Sequence, residues 1–357
     1  AHLDRLGDGE GLDGFNAPLL SATGAAAKRY GADLNRPAFK AKLREAIMAA
    51  PKKAERDNIE TLYLTDKHLD GIIATAIEKF ASGVSLNDFH AYMPLHTYIF
   101  APCREQWPGS SVNSRIAPVP LFNADNTPVL DKKGDQVEMT AHVWLDQNKA
   151  VEQMTWAPGL PLLIRNRLIS DGGWIARPKV TCLNLYRPPE IKPGNATEAD
   201  RWCEHVYKVY PDDADHIIKW LAHRVQRPEE KINHALVLGG SQGIGKDTLL
   251  GPVKWAVGPW NFQEVSPQSM LGRFNGFLKS VILRVSEARD LGDTNRFQFY
   301  DHMKAYTAAP PDVLRVDEKN LREHAILNCC GVVITTNHKT DGIYLPPDDR
   351  RHFVAWS

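Results

Sequence analysis

The stretch His234-Ala-Leu-Val-Leu-Gly-Gly-Ser-Gln-Gly-Ile-Gly-Lys-Asp-Thr248 decides how this chain is read. Ala235 to Leu238 form a short apolar run of buried-strand type, and glycines 239, 240, 243 and 245 let the following backbone turn tightly with its N–H groups inward. That is a phosphate cradle. Gly240-x-x-x-x-Gly245-Lys246 has the spacing of the phosphate-binding loop, with Lys246 reaching β- and γ-phosphates and the next helix directing its positive end at them. Where that pattern has a metal-holding Ser or Thr, this chain has Asp247, with Thr248 one place on. Either the carboxylate or the shifted hydroxyl is a hard oxygen ligand for Mg2+. Gly251-Pro252 then predicts that the helix kinks or stops early.

Working outward, two further apolar runs end in polar residues. Ser280-Val-Ile-Leu-Arg-Val-Ser-Glu287 ends in an acid, and Gly331-Val-Val-Ile-Thr-Thr-Asn337 ends in an amide. In a parallel α/β sheet the carboxyl ends of such strands lie side by side, where these folds bind ligands. Nucleotide hydrolysis needs neutralised phosphates, a metal and an oriented water. Lys246 supplies the first; Glu287 is placed to polarise the water or orient the metal shell, and Asn337 to hydrogen-bond the γ-phosphate or that water. Beyond them, Asp349-Arg-Arg351 precedes a fresh apolar run, which makes Arg350 and Arg351 candidates for an arginine finger reaching a neighbouring subunit's nucleotide. Val313-Leu-Arg-Val alternates and then turns polar at Asp-Glu-Lys-Asn, a hairpin pattern.

Upstream, apolar spacing predicts a helix over 34–50, with Pro37 near its start, Phe39, Leu43, Ile47 and Met48 as its stripe, and Pro51 as its stop. A second helix is capped by Thr65-Asp66, carries Leu69, Ile72, Ile73, Ala76, Ile77 and Phe80, and ends at Ser82-Gly83. Basic residues 28, 29, 40, 42, 44, 52, 53 and 56 read as a solvated helix face rather than a nucleic-acid surface. From about 94 to 195 short β-like runs alternate with Pro/Gly turns. There Trp156, Trp174 and Tyr186 lie among Arg165, Arg167, Arg177 and Arg187, read as core and surface before base stacking. Helices resume at 197–226, where Pro211-Asp212-Asp213 caps a helix with Ile217, Ile218, Leu221, Ala222 and Val225 inward. His205, His216 and His223 read as ordinary surface or core histidines.

With 43 basic and 43 acidic residues the 357-residue chain carries no net charge, so any nucleic-acid contact must come from a local cluster. The length suits two or three domains. The five cysteines have no C-x-x-C spacing, which points to a reducing, cytoplasmic setting without a disulfide framework. No apolar run is of bilayer-spanning length and the N-terminus lacks signal-peptide character, so no membrane partner is expected. A chain starting at Ala1 reads as a piece of a longer polypeptide or a processed product.

Gly240 to Thr248, Glu287, the segment Met303 to Arg322, Val333 to Asn337 and Asp349 to Arg351 together resemble the superfamily-three helicase domain of phage and integrated-element primase–helicases, over about residues 197–357. The resemblance implies an α/β fold: a P-loop (AAA+-like) ATPase domain with a central, mostly parallel sheet, preceded by helical and irregular β-containing N-terminal regions. It divides the chain into a helical region 1–93, a β/loop-rich region 94–196, and a helical lead-in plus ATPase domain 197–357. It implies ATP and Mg2+, with Gly240, Ser241, Gln242, Gly243, Ile244, Gly245, Lys246, Asp247 and Thr248 on the nucleotide, and Asp247, Thr248 and Glu287 as metal candidates. It further implies single-stranded or forked DNA as partner, a hexameric ring of identical subunits with the DNA in its central pore, and a hairpin with Lys319 at or near its DNA-contacting tip, flanked by Arg315 and Arg322. A primase–polymerase module on the same polypeptide would fit residues 11–80 as a joining segment, although no polymerase-type carboxylate pair stands out. Two rival readings are a P-loop phosphotransferase acting on a small molecule and a nucleotide-dependent DNA-binding scaffold without strong hydrolysis.

Overall fold

The computed structural model describes residues 3, 6, 13–31, 34–50, 62–80, 83–125, 127–286, 293–319, 321–338 and 344–357. The chain forms two compact units, Ala1–Glu152 and Gln153–Ser357. Strands directly after residue 152 belong to the second unit: the Thr155 hydroxyl, for example, donates to the Ala325 carbonyl at 2.8 Å.

In the first unit, helices α1 (Asp13–Tyr30), α2 (Arg36–Ala49) and α3 (Asp66–Phe80) share one apolar core. Asn35 caps α2 by accepting from the Ala38 N–H, and Leu43 and Ile47 point inward, but Met48, expected in the stripe, is exposed. Lys40 pairs with Asp66 and Asp70, and Arg44 with Asp66, on the exposed side of these helices. Helix α1 had no counterpart in the sequence reading. Its inward residues Phe15, Leu19, Ala22 and Ala26 do follow helical spacing, yet small residues all round and Pro18 inside it blur the pattern. The rest of this unit is a sheet of order β3-β2-β1-β6, with β1 (Phe89–Tyr92), β2 (Thr97–Phe100), β3 (Glu105–Trp107) and β6 (Ala150–Val151). Against it pack α4 (Gly109–Arg115) and α5 (Ala141–Asn148), and the pair β4 (Val119–Pro120) and β5 (Glu138–Met139) forms a separate arm.

The second unit opens with β7 (Gln153–Thr155), β8 (Leu163–Ser170) and β9 (Gly173–Asn184) in order β7-β9-β8. Trp156 and Tyr186 are buried in edge-to-face contact, and the Arg167 guanidinium lies 4.6 Å from the centre of the Trp174 ring. Helices α6 (Asp200–Val209) and α7 (Ala214–Gln226) follow. Asp213 occupies the N-cap position of α7 without the expected side-chain hydrogen bond. The inner face of α7 also carries Trp220 and, against binary patterning, the charged Arg224. Arg224 is buried because its guanidinium donates to the carbonyls of Pro228, Glu230 and Cys329, tying the following loop to the central sheet.

That sheet has the order β11-β12-β15-β10-β16 and is parallel throughout. Its strands are β10 (Ala235–Gly239), β11 (Phe262–Val265), β12 (Ile282–Val285), β15 (Gly331–Thr336) and β16 (His352–Trp356). Being buried on both faces, β10 and β15 are apolar without alternation, as central parallel strands are. Helix α8 (Lys246–Val257) follows β10 and does not stop at Gly251-Pro252. Leu249, Leu250, Val253 and Val257 are buried along one side, so apolar packing carries the helix past the missing N–H. Between β11 and β15 come α9 (Pro267–Met270), α10 (Asp293–Thr307) and a hairpin of β13 (Val313–Val316) with β14 (His324–Leu327). Among the described residues no helix is long and apolar enough to cross a membrane.

Candidate phosphate-binding site

The chain leaves β10 towards the β11 edge, returns through β12 and β15, and reaches the other side of β10 only with β16. β10 is thus the point where strand order reverses, and open parallel sheets bind ligands at the carboxyl ends beside such a point. The Gly240–Gly245 loop lies there. Gly240, Gly243 and Gly245 all take positive φ, and at Gly245 (φ 104°) the chain passes directly into α8 with no side chain capping the helix. The first N–H groups of α8 are therefore open to an anion, on the positive end of the helix dipole.

Lys246, the first residue of α8, is 9 % exposed. Its Nζ donates to the carbonyls of Gly240 (2.6 Å) and Ser241 (2.9 Å) and to Oδ1 of Asn337 (2.8 Å). Burial lowers its pKa. Asn337 directly follows β15, whose end is fixed by the Thr336 hydroxyl accepting from the His338 N–H. So the lysine and the amide that the sequence placed at neighbouring strand ends do meet. Glu287, the third member of that group, lies outside the described residues; the strand that precedes it, β12, is next to β15 as anticipated.

Gln242, Gly243, Gly245, Lys246, Asp247, Thr248, Arg284, Thr335 and Asn337 line an open pocket of about 250 Å³. Ile244 instead packs its side chain against the main apolar core. Two of the three candidate metal ligands, Asp247 and Thr248, are in the lining, and one carboxylate with one hydroxyl is a hard-oxygen set of the kind Mg2+ uses while keeping several waters. Two residues of the lining were missed. Arg284 projects from β12; its Nε and Nη2 each lie 3.3 Å from Thr335 Oγ1, Nη2 also donates to Asp247, and Nη1 lies 3.6 Å from Glu264 Oε1. A lone charge inside the apolar run 280–286 was the available signal. Outside the lining, His205 Nε2 donates to the Gly245 carbonyl at 3.1 Å and Tyr210 OH to that of Gly239 at 3.1 Å, so α6 and the residue that follows it brace both ends of the loop.

Arg350 and Arg351 lie elsewhere. β16 runs parallel to β10 with His352 opposite Ala235 and Trp356 opposite Gly239, which sets both arginines at the amino ends of the strands. At about 3.3 Å per residue that is a strand length, roughly 15 Å, from the pocket. Asp349 anchors this corner, accepting from Tyr300 OH (2.9 Å), the N–H groups of Arg351 (3.1 Å) and His352 (2.9 Å), and His352 Nδ1 (3.0 Å).

The expected hairpin is present, with Val316 opposite His324 and Lys319 exposed in the connecting loop. Arg322 is exposed as well, whereas Arg315 pairs with Asp171 at 2.6 Å and lies 3.8 Å from Glu323. The loop is held down by Arg273–Asp317 (2.8 Å) and Lys279–Glu318 (2.5 Å) ion pairs.

The second unit is thus built on a five-stranded parallel sheet with a glycine-rich loop at its switch point. Residues 238–351, which span the loop, β12, the hairpin and β15, match the model of DUF5906, a family of unknown function. No curated protein matches the chain. Among solved structures it is similar to the apo structure of the NrS-1 C terminal region (305-718), with a TM-score of 0.54 and 18 % identity over 75 % of this chain. Two A-form apo structures of the same region give TM-scores of 0.51 at 16 % and 17 % identity. The chain spans 58 % of the length of each.

Proposed function

We propose that this chain is the motor part of a phage or mobile-element replication protein, hydrolysing ATP with Mg2+ to move along single-stranded or forked DNA as a ring of identical subunits. The observation that carries the reading is the meeting of Lys246 and Asn337 at 2.8 Å, one from the glycine loop after β10 and the other from the end of the adjacent β15. A P-loop ATPase of the AAA+-like kind needs such a cation and amide on neighbouring strand ends. The sheet order, with β15 between the loop strand β10 and β12, supports the same reading. So does the shared fold with the NrS-1 C terminal region.

In this scheme the loop N–H groups and Lys246 bind the phosphates, Asn337 orients the γ-phosphate or the attacking water, and Glu287 polarises that water. Asp247 and Thr248 would hold Mg2+, which would neutralise phosphate charge. Arg350 and Arg351, a strand length from their own pocket, have a catalytic place only in the site of an adjoining copy. Lys319 and Arg322 at the hairpin loop would meet DNA phosphates.

Steady-state ATP hydrolysis with Mg2+, with and without single-stranded DNA, tests the proposal. DNA-stimulated turnover lost in Lys246→Ala is expected; an inert protein at saturating Mg2+ and DNA would instead favour a scaffold. Mixing Arg350→Ala/Arg351→Ala subunits with Lys246→Ala subunits should restore part of the hydrolysis, because each mixed interface can pair an intact pocket with intact arginines. No recovery would favour a small-molecule phosphotransferase.

A further inference from the structure

Arg284 is, with Lys246, one of the two basic residues in the pocket lining. It sits on β12, directly opposite Glu264 of β11, with only 15 % of its side chain exposed. Nε and Nη2 of the guanidinium meet Thr335 and Nη1 lies beside Glu264, while Nη2 also reaches Asp247 in the pocket. Asp247 is 79 % exposed and stands at the first turn of α8, whereas Arg284 is largely enclosed between neighbouring strands. The lining thus carries two cations, Lys246 and Arg284, and one acid between them.

Resting on the nucleotide-site reading above, we propose that Asp247 and Arg284 form an exchangeable ion pair that makes nucleotide binding depend on the metal. With no metal–nucleotide complex bound, the guanidinium neutralises Asp247. On loading, the carboxylate turns to the metal, and Arg284, still held by Thr335 and Glu264, faces the phosphates. A nucleotide arriving without metal must compete with Asp247 for the same guanidinium and meets an unneutralised carboxylate beside its phosphates. The usual Ser or Thr at this position has no charge and sets up no such competition. Asp247 is therefore a functional departure from the loop pattern, and Arg284 is its counterpart.

The test is binding of a fluorescent ATP analogue by anisotropy, in EDTA and across a Mg2+ titration, for the wild-type chain, Asp247→Asn and Arg284→Gln. The two variants should move metal-free affinity in opposite directions. Asp247→Asn removes the competitor and tightens it about 10-fold, with little further gain from Mg2+; Arg284→Gln removes a phosphate-facing cation and weakens it about 10-fold, while half-saturation by Mg2+ moves to lower concentration. Arg284→Lys keeps the charge and recovers part of the metal-free affinity. If both variants weaken metal-free binding, or neither changes it, the pair is only structural and the proposal is overturned. Asp247 is exposed, so its Asn variant keeps the fold and preserves this comparison should Arg284→Gln unfold. A wild-type chain that binds no nucleotide in either buffer overturns the nucleotide-site reading itself, and this inference with it.

Discussion

Replacing Gly245 by Ala tests how the glycine loop is braced. Gly245 has φ 104°, and a Cβ there would lie 2.6 Å from His205 Cε1 and 2.7 Å from its Nε2. The left-handed conformation costs an L-residue about 1–2 kcal/mol. The imidazole relieves the overlap by swinging away, at the cost of its bond to the Gly245 carbonyl, worth about 1 kcal/mol. The reduced freedom of the unfolded chain returns about 0.5 kcal/mol. Gly245→Ala should therefore destabilise by about 2 kcal/mol and His205→Ala by about 1 kcal/mol, measured by urea denaturation. The double variant loses that hydrogen bond once rather than twice, so it should fall short of the sum of the singles by about 1 kcal/mol. Nucleotide binding should weaken in Gly245→Ala and stay weak in the double variant, because removing His205 leaves the backbone strain in place. Energies that add to within about 0.3 kcal/mol would refute the contact between α6 and the loop.

Asn337→Ala should keep nucleotide binding but slow turnover about 100-fold, the scale for losing one oriented donor; unchanged single-turnover hydrolysis removes it from the site. Glu287→Gln should likewise bind ATP and turn over slowly, and wild-type rates would exclude it as the water-orienting acid. Lys319→Ala should leave basal hydrolysis intact while reducing DNA stimulation and lowering the salt slope of DNA binding by about 1; loss of basal activity alone contradicts a DNA-contacting role. His324, at the start of β14, has its pKa lowered to about 4 by burial, with Lys279 adding to the effect. A histidine depressed in the folded state takes up its proton more readily when unfolded. Its contribution is thus complete above about pH 6.5 and lost as pH falls towards 4, amounting to about 3 kcal/mol across that window. His324→Gln should flatten the acid limb of a stability–pH curve, and curves that stay parallel would refute this.

The readable parts of the chain are those in which local chemistry and global position agree. Gly240 to Lys246 was legible because positive-φ glycines and a lysine at fixed spacing constrain the backbone by themselves. The runs ending at Val285 and Thr336 were legible because central parallel strands are apolar on both faces, and the β13–β14 hairpin because alternation gives way to a polar turn. What stayed hidden depends on partners far along the chain. Arg224 reads as an outward residue of α7 until the carbonyl of Cys329, 105 positions later, is brought to it. The end of the first unit at 152 rests on pairings such as Thr155 with Ala325, and the course of α8 past Pro252 on side chains buried by the sheet.

Arg284 and Asp247 belong with these hidden features, and they show why a departure from a motif is best judged against its three-dimensional neighbours. Taken by itself, an acid in place of the loop's hydroxyl adds a negative charge beside a triphosphate and should weaken binding. Set against β12, the same acid faces a guanidinium fixed by two adjacent strands, so the pair is neutral and the pocket keeps the positive charge of Lys246. The substitution and its compensation lie 37 residues apart and meet only because β12 stands two places from β10 in the sheet. A loop pattern read along the chain could register the acid but not its answer. Strand order supplies the answer, and it turns an apparent defect at Asp247 into a candidate control on which form of the nucleotide the site accepts.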